Sequence, residues 1–131
     1  MDKIPVKAIS VTEARQRLSK LKPFLTKLKK LYVELVELEN ELSMIKSDED
    51  LGNLLNARKN MTMKEDELID IQDKFRENDC VIKDAGTGLI DFIGIRKGKA
   101  VWLCFQEGEE ELSYFHEWNA GYTGRKRIDF H

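Results

Sequence analysis

LIDFIGIRKGKAVWLCFQ, residues 89 to 106, is the stretch that decides the fold. On either side of Lys97-Gly98, β-branched and aromatic residues follow a period of two, and the dipeptide between them suits a tight hairpin turn. Two strands are predicted, Leu89 to Ile95 and Ala100 to Gln106. In the first, Leu89, Asp91, Ile93 and Ile95 share one face while Ile90 and Phe92 share the other, so both faces are mostly apolar. A sheet apolar on both sides must be covered on both sides. The chain's own helices can supply one cover, and a second copy of the chain is the simplest source of the other, which predicts a homodimer. Asp91 is the exception on its face, because a carboxylate among apolar neighbours must be paired, hydrogen-bonded or protonated. A two-residue loop at Lys97-Gly98 puts Asp91 opposite Cys104. A three-residue loop with a glycine bulge puts it opposite Leu103 and reverses every face, and both registers stay open.

Working outward, Cys80 to Lys83 and Leu112 to His116 read as two further strands, with turns at Gly86 to Gly88 and around Gly108. Residues 80–116 are thus expected to form an antiparallel meander of about four strands, followed by a Gly/Arg corner and tail over 117–131. Upstream of Asn78 the period changes to that of a helix. Val11, Ala14, Leu18, Leu21, Leu25, Leu28, Tyr32, Leu35 and Leu42 recur in steps of three and four, in the manner of a coiled coil, with Glu39 the one break. Phe24, Leu31, Leu38 and Ile45 widen the stripe. Ser10 with Glu13 is a capping box, so a first helix is predicted over 11–46, with a kink or short break at Pro23. Leu54, Ala57, Met61, Lys64, Leu68, Ile71 and Phe75 predict a second helix over 48–78. Ser47 opens that helix and Asn78, tolerant of left-handed backbone, closes it. Thr62 with Glu65 is a competing start signal that predicts a break near Asn60. The expected architecture is α+β: a long antiparallel helical hairpin followed by a small β-meander.

At 131 residues the chain is read as one domain able to bury roughly two thirds of its unfolded surface. Its two cysteines, Cys80 and Cys104, show no CxxC and no His at ligand spacing, so reduced core thiols are expected rather than a disulfide framework or structural zinc. No apolar run approaches a membrane span and Met1 to Lys7 lacks the apolar core of a signal peptide, which predicts a soluble, cytoplasmic protein without a membrane role. The net charge of −2 hides an asymmetry: residues 1–31 carry +7, residues 32–73 carry −8 and the remainder −1. A basic helical stretch followed by an acidic one can pair antiparallel, within the chain or across a dimer.

The densest run of polar chemistry is YFHEWNAGYTGRKR, residues 114–127. His116-Glu117 invites comparison with HExxH, but Ala120 stands where the second histidine is needed and the context is a strand. A divalent metal held by Asp91, His116 and Glu117 is a weaker alternative to a His that pairs with a carboxylate; no cofactor is predicted. Asp84-Ala85-Gly86 is a glycine turn rather than the Asp-Thr-Gly loop of an aspartic protease. Asn119, Tyr122, Gly124 and Arg125 are candidate ligand-binding residues, since glycines free backbone N–H groups beside cations. The bland reading of the same corner pairs Arg125 with an acid such as Glu117 or Asp91.

Ser10-Val11-Thr12-Glu13-Ala14, Cys80-Val81-Ile82-Lys83-Asp84, Thr87-Gly88-Leu89-Ile90-Asp91-Phe92, Trp102-Leu103-Cys104, His116-Glu117 and Gly121-Tyr122-x-Gly124-Arg125 follow one another here in an order that resembles the prokaryotic domain of unknown function 2203 family. The resemblance covers nearly the whole chain. The family pattern has a proline after the Asp-Phe pair, a Trp-Arg-x-Gly-Glu-Pro segment and His-Glu-Leu-Asp, where this chain has Ile93, Phe105-Gln106-Glu107-Gly108-Glu109-Glu110 and Trp118-Asn119. Asn119 in place of an acid weakens a metal reading here. The family carries no assigned activity, so the resemblance implies a cytoplasmic module and no mechanism.

Three readings follow. The first is a dimeric binding or scaffold module, with a further protein partner possible. The second is a hydrolase-type or metal-dependent enzyme using Asp91, His116, Glu117 and Arg125. The third is a nucleic-acid accessory factor acting through Arg125 to Arg127, disfavoured by the mildly acidic chain and the lack of an RNA-binding signature.

Overall fold

The computed structural model describes residues 6–45 and 50–131. Two helices, α1 (Val11–Met44) and α2 (Leu51–Glu77), precede strands β1 (Cys80–Asp84), β2 (Leu89–Arg96), β3 (Lys99–Gln106), β4 (Tyr114–Glu117) and β5 (Lys126–Arg127). The strands form one antiparallel sheet in sequential order. The α+β architecture of helical hairpin and meander is the one expected. β5 is an addition to it, pairing Arg127 with Tyr114 and Lys126 with Phe115 within the segment read as corner and tail.

The start of α1 follows its capping box: Glu13 N–H donates to Ser10 Oγ at 3.0 Å and Ser10 N–H to Glu13 Oε1 at 3.2 Å. The helix runs uninterrupted through Pro23, which removes one backbone donor from the ladder without ending it. The break expected near Asn60 is absent, because the Thr62 hydroxyl turns back to the Arg58 carbonyl at 3.1 Å instead of capping a new helix. Ser47, read as the cap of α2, lies outside the described residues. At the other end Asn78 caps α2 with φ of −101°, and the left-handed residue is Asp79, φ 57°. Asp79 is held there by its carboxylate, which accepts from Lys7 N–H at 3.2 Å and pairs with Arg17.

α1 lies across one face of the sheet. Val11, Ala14, Leu18, Leu21, Leu25, Leu28 and Leu31 bury against Ile90, Phe92, Val101, Leu103, Phe105 and Phe115, with Ile71 and Phe75 of α2 closing one side. The C-terminal segment joins this core: Phe130 packs edge-on against Phe115 at 5.2 Å, and the His131 carbonyl accepts from Val11 N–H at 2.7 Å. Beyond Leu31 no residue of α1 is buried, and of the first half of α2 only Ala57 is. These halves form a two-helix arm whose seam, Leu35, Leu42, Leu54, Met61 and Leu68, is half-buried.

The hairpin turn resolves the register. Lys97 and Gly98 have φ of 51° and 77°, Arg96 pairs with Lys99, and Asp91 stands opposite Cys104. Two successive positive φ values mark the turn whose twist matches that of the strands. The second sheet face, carrying Asp91, Ile93, Trp102, Cys104 and His116, is buried within the single chain. Its cover is intramolecular: Trp118 stacks on Trp102 with ring centroids 4.2 Å apart, and Lys83 Nζ lies 3.6 Å from the Trp102 centroid. The long side chains that border this face do the work assigned above to a partner, so its apolar character does not by itself call for a second copy.

Candidate functional site

Three strands carry the polar cluster on this second face. β2 supplies Asp91 and β3 supplies Cys104 directly opposite it. β4 supplies His116, one pair along, opposite Trp102. β1 supplies Lys83 at a bulge, where the pairing shifts between Ile82 and Asp84; the extra residue re-aims its side chain. Asp91 is 1% exposed and His116 5%, so both are out of water.

His116 is oriented from both sides. Its Nδ1 lies 3.0 Å from the Glu117 carbonyl oxygen, which can only accept, so Nδ1 carries a proton and donates. Its Nε2 lies 3.2 Å from Asp91 Oδ2. One proton bridges that contact, since a neutral imidazole nitrogen and a carboxylate oxygen both accept. Lys83 Nζ is 4.0 Å from the same Oδ2, while Asp91 Oδ1 has no nitrogen or oxygen donor among the described residues and the carboxylate's remaining neighbour is the weak Cys104 S–H. Burial pushes the Asp91 carboxyl above its ordinary range, and the His116 charge, a hydrogen bond from the Cys104 thiol and the Lys83 charge partly offset it. Burial and then the Asp91 charge push the Cys104 thiol up to about 12. A thiol held protonated in this way is a poor nucleophile. The ligand atoms of Asp91, Cys104 and His116 lie within 4.8 Å of one another.

The other candidates separate from this cluster. Glu117 is exposed, and it is its backbone carbonyl, not its carboxylate, that reaches His116. The acid paired with Arg125 is neither Glu117 nor Asp91 but Glu109, whose two carboxylate oxygens accept from Arg125 Nη2 at 2.8 and 2.7 Å. The guanidinium sits between the rings of Tyr114 and Tyr122, 4.1 and 4.5 Å from their centroids, and reaches the Cys104 carbonyl at 3.4 Å. Arg125 is thereby neutralised, which interrupts the Arg125 to Arg127 run as a cationic strip. Gly124 closes a single 3-10 turn (Tyr122–Gly124), where a Cβ would stand 2.9 Å from that of Ala120. Asn119 is exposed and Tyr122 largely so. Asp84 makes the glycine turn expected of it, accepting from Gly86 N–H at 2.9 Å.

One member of the cluster, Lys83, is not marked by the sequence, and a second, Cys104, enters it only through one of the two open registers. As a possible ligand Cys104 carries no signal, because the nearest histidine lies twelve residues along the chain. Lys83 was only the end of a strand. The usable signal for Cys104 was the two-residue turn, which puts it opposite Asp91; nothing in the sequence marks the bulge.

Among the described residues no helix is long and apolar enough to cross a membrane. No curated protein and no solved structure matches the chain at a significant level. The family model described as "Uncharacterized conserved protein (DUF2203)" matches residues 7–128, nearly the full 131. The order of motifs noted in the sequence therefore reflects descent, and the chain belongs to the DUF2203 family.

Proposed function

We propose that the protein is a binding or scaffold module of the cytoplasm that works as a homodimer through its helical arm. The observation that carries this reading is the apolar surface the arm leaves in water. Val33, Met44, Leu51, Leu55 and Met63 are each at least half exposed, and Tyr32 and Val36 nearly so. Val33, Val36 and Met44 recur at helical spacing on α1, as Leu51 and Leu55 do on α2, so each helix presents a second stripe besides the seam. A two-helix arm with so much wet apolar area is stabilised by pairing.

Charge favours a second copy as the occupant. Residues 32–45 carry four glutamates and no cation, whereas residues 51–64 carry Arg58, Lys59 and Lys64 and no acid. Within the chain Lys64 pairs with Glu34 at 3.2 Å. A two-fold antiparallel pairing of arms sets the acidic half of each α1 beside the basic half of the partner's α2, which makes an isologous four-helix bundle. The deep burial of Asp91 and His116 also favours binding over turnover, since a substrate has no direct access to them. The cytoplasmic setting rests on Cys80 and Cys104, two free, buried thiols.

Sedimentation velocity at micromolar concentration tests the dimer. The expected result is a dimer for the wild type and a monomer of equal helicity for Val33→Glu/Leu55→Glu. A wild-type monomer overturns the reading.

A further inference from the structure

The cluster on the second sheet face has the donor set and the orientation of a metal centre. Asp91, Cys104 and His116 offer an oxygen, a sulfur and a nitrogen, all within 4.8 Å of one another and all on buried residues. Ligands bound at about 2.0–2.3 Å around a tetrahedral zinc ion stand roughly 3.3–3.8 Å from each other. The 3.2 Å between His116 Nε2 and Asp91 Oδ2 is already close to that spacing. A proton bridges that contact in the metal-free chain, and an ion takes the place of such a proton.

Two observations go beyond proximity. Asp91 Oδ1, on a residue 1% exposed, has no nitrogen or oxygen donor among the described residues and its carboxylate receives only the weak Cys104 S–H besides His116 and Lys83, an under-satisfied arrangement unless something else binds there. His116 donates Nδ1–H to the Glu117 carbonyl at 3.0 Å, the contact by which proteins fix a ligating imidazole so that Nε2 faces the ion.

We propose that Asp91, Cys104 and His116 form a binding site for one divalent ion of the zinc type. Mixed sulfur, nitrogen and oxygen donors suit a borderline ion and disfavour calcium or magnesium, which take oxygen throughout. A coordinating thiol loses its proton outright, so the protonated Cys104 of the metal-free chain is the state that the ion replaces. Three protein ligands leave a tetrahedral ion one position for water. Lys83 is the metal-free counter-cation: its Nζ, 4.0 Å from Asp91 Oδ2, belongs to a side chain one-third exposed, and it must swing outward when the ion enters.

The test uses untagged full-length protein stripped with a chelator and titrated with Co²⁺, then Zn²⁺, with circular dichroism confirming that each variant is folded. The wild type is expected to take up one equivalent of Co²⁺ with a sulfur-to-cobalt charge-transfer band that Zn²⁺ abolishes. Cys104→Ser should lose the band, and His116→Gln should weaken binding at least about tenfold. Lys83→Met should tighten binding by about tenfold, because it removes a like charge from beside the ion; a merely structural Lys83 would leave affinity unchanged. Failure of the wild type to bind more Co²⁺ than Cys104→Ser, or uptake without the thiolate band, overturns the proposal. Should His116→Gln not fold, the Cys104→Ser and Lys83→Met results decide it.

Discussion

Removing His116 should cost far more than removing His116 and Asp91 together. His116→Leu leaves the Asp91 carboxyl, 1% exposed, with Lys83 at 4.0 Å and the weak Cys104 S–H donor for company. Breaking a buried pair from one side costs about 3–5 kcal/mol, a large part of the roughly 5–15 kcal/mol that holds a domain folded. Asp91→Val leaves an unpartnered imidazole nitrogen and should cost about 1–3 kcal/mol. The double variant Asp91→Val/His116→Leu leaves neither group, places apolar side chains beside Ile93 and Trp102, and should fall within about 2 kcal/mol of wild type. Urea unfolding with a chelator present measures all four proteins, and an unchanged m value confirms that the comparison is one of stability. Costs that simply add to within about 0.5 kcal/mol, or a His116→Leu cost below about 1 kcal/mol, refute the account of a sealed, proton-sharing pair.

The same series carries a pH signature. Burial raises the folded-state pKa of Asp91 above its unfolded value, so just above the ordinary carboxyl range the folded chain binds the extra proton. Asp91 therefore contributes stability that is fully present below the unfolded pKa and is lost as pH rises through the folded one. Asp91→Asn should flatten stability against pH in that window. His116→Leu should steepen it, because the His116 charge is the largest influence holding that carboxyl down.

Two further substitutions probe the frame around the site. Gly94→Ala puts a Cβ 2.9 to 3.1 Å from three atoms of the fully buried Leu103 side chain and should cost about 1–3 kcal/mol in thermal unfolding; an unchanged melting temperature would show that the sheet can shift there. Ser10→Ala removes the side-chain half of the capping box and should cost about 1 kcal/mol, with Ser10→Asp restoring most of it; equal losses in both would rule out the cap as the cause.

Much of the fold is legible in local chemistry. The α1 cap depends on two side chains three residues apart, and the α2 stripe from Leu54 to Phe75 is buried or half-buried at every position. A local signal is overridden where it has a rival within reach. Thr62 found the carbonyl one turn back, and Asp79 took the left-handed position from Asn78 because Arg17 and the Lys7 amide, more than sixty residues away, hold its carboxylate. β5 leaves no mark in the sequence because two residues are too few for a period to show.

For the site, the alternation in LIDFIGIRKGKAVWLCFQ was enough to mark Asp91 as a carboxylate in need of a partner, because alternation assigns faces without any knowledge of neighbours. It could not name that partner. The turn geometry at Lys97 and Gly98 selected Cys104 over Leu103, the β3 and β4 pairing brought in His116, and a bulge aimed Lys83. Secondary structure follows from periodicity and capping, which act over a few residues. The convergence of three strands on one buried carboxylate follows from register and packing, which exist only once the sheet has formed.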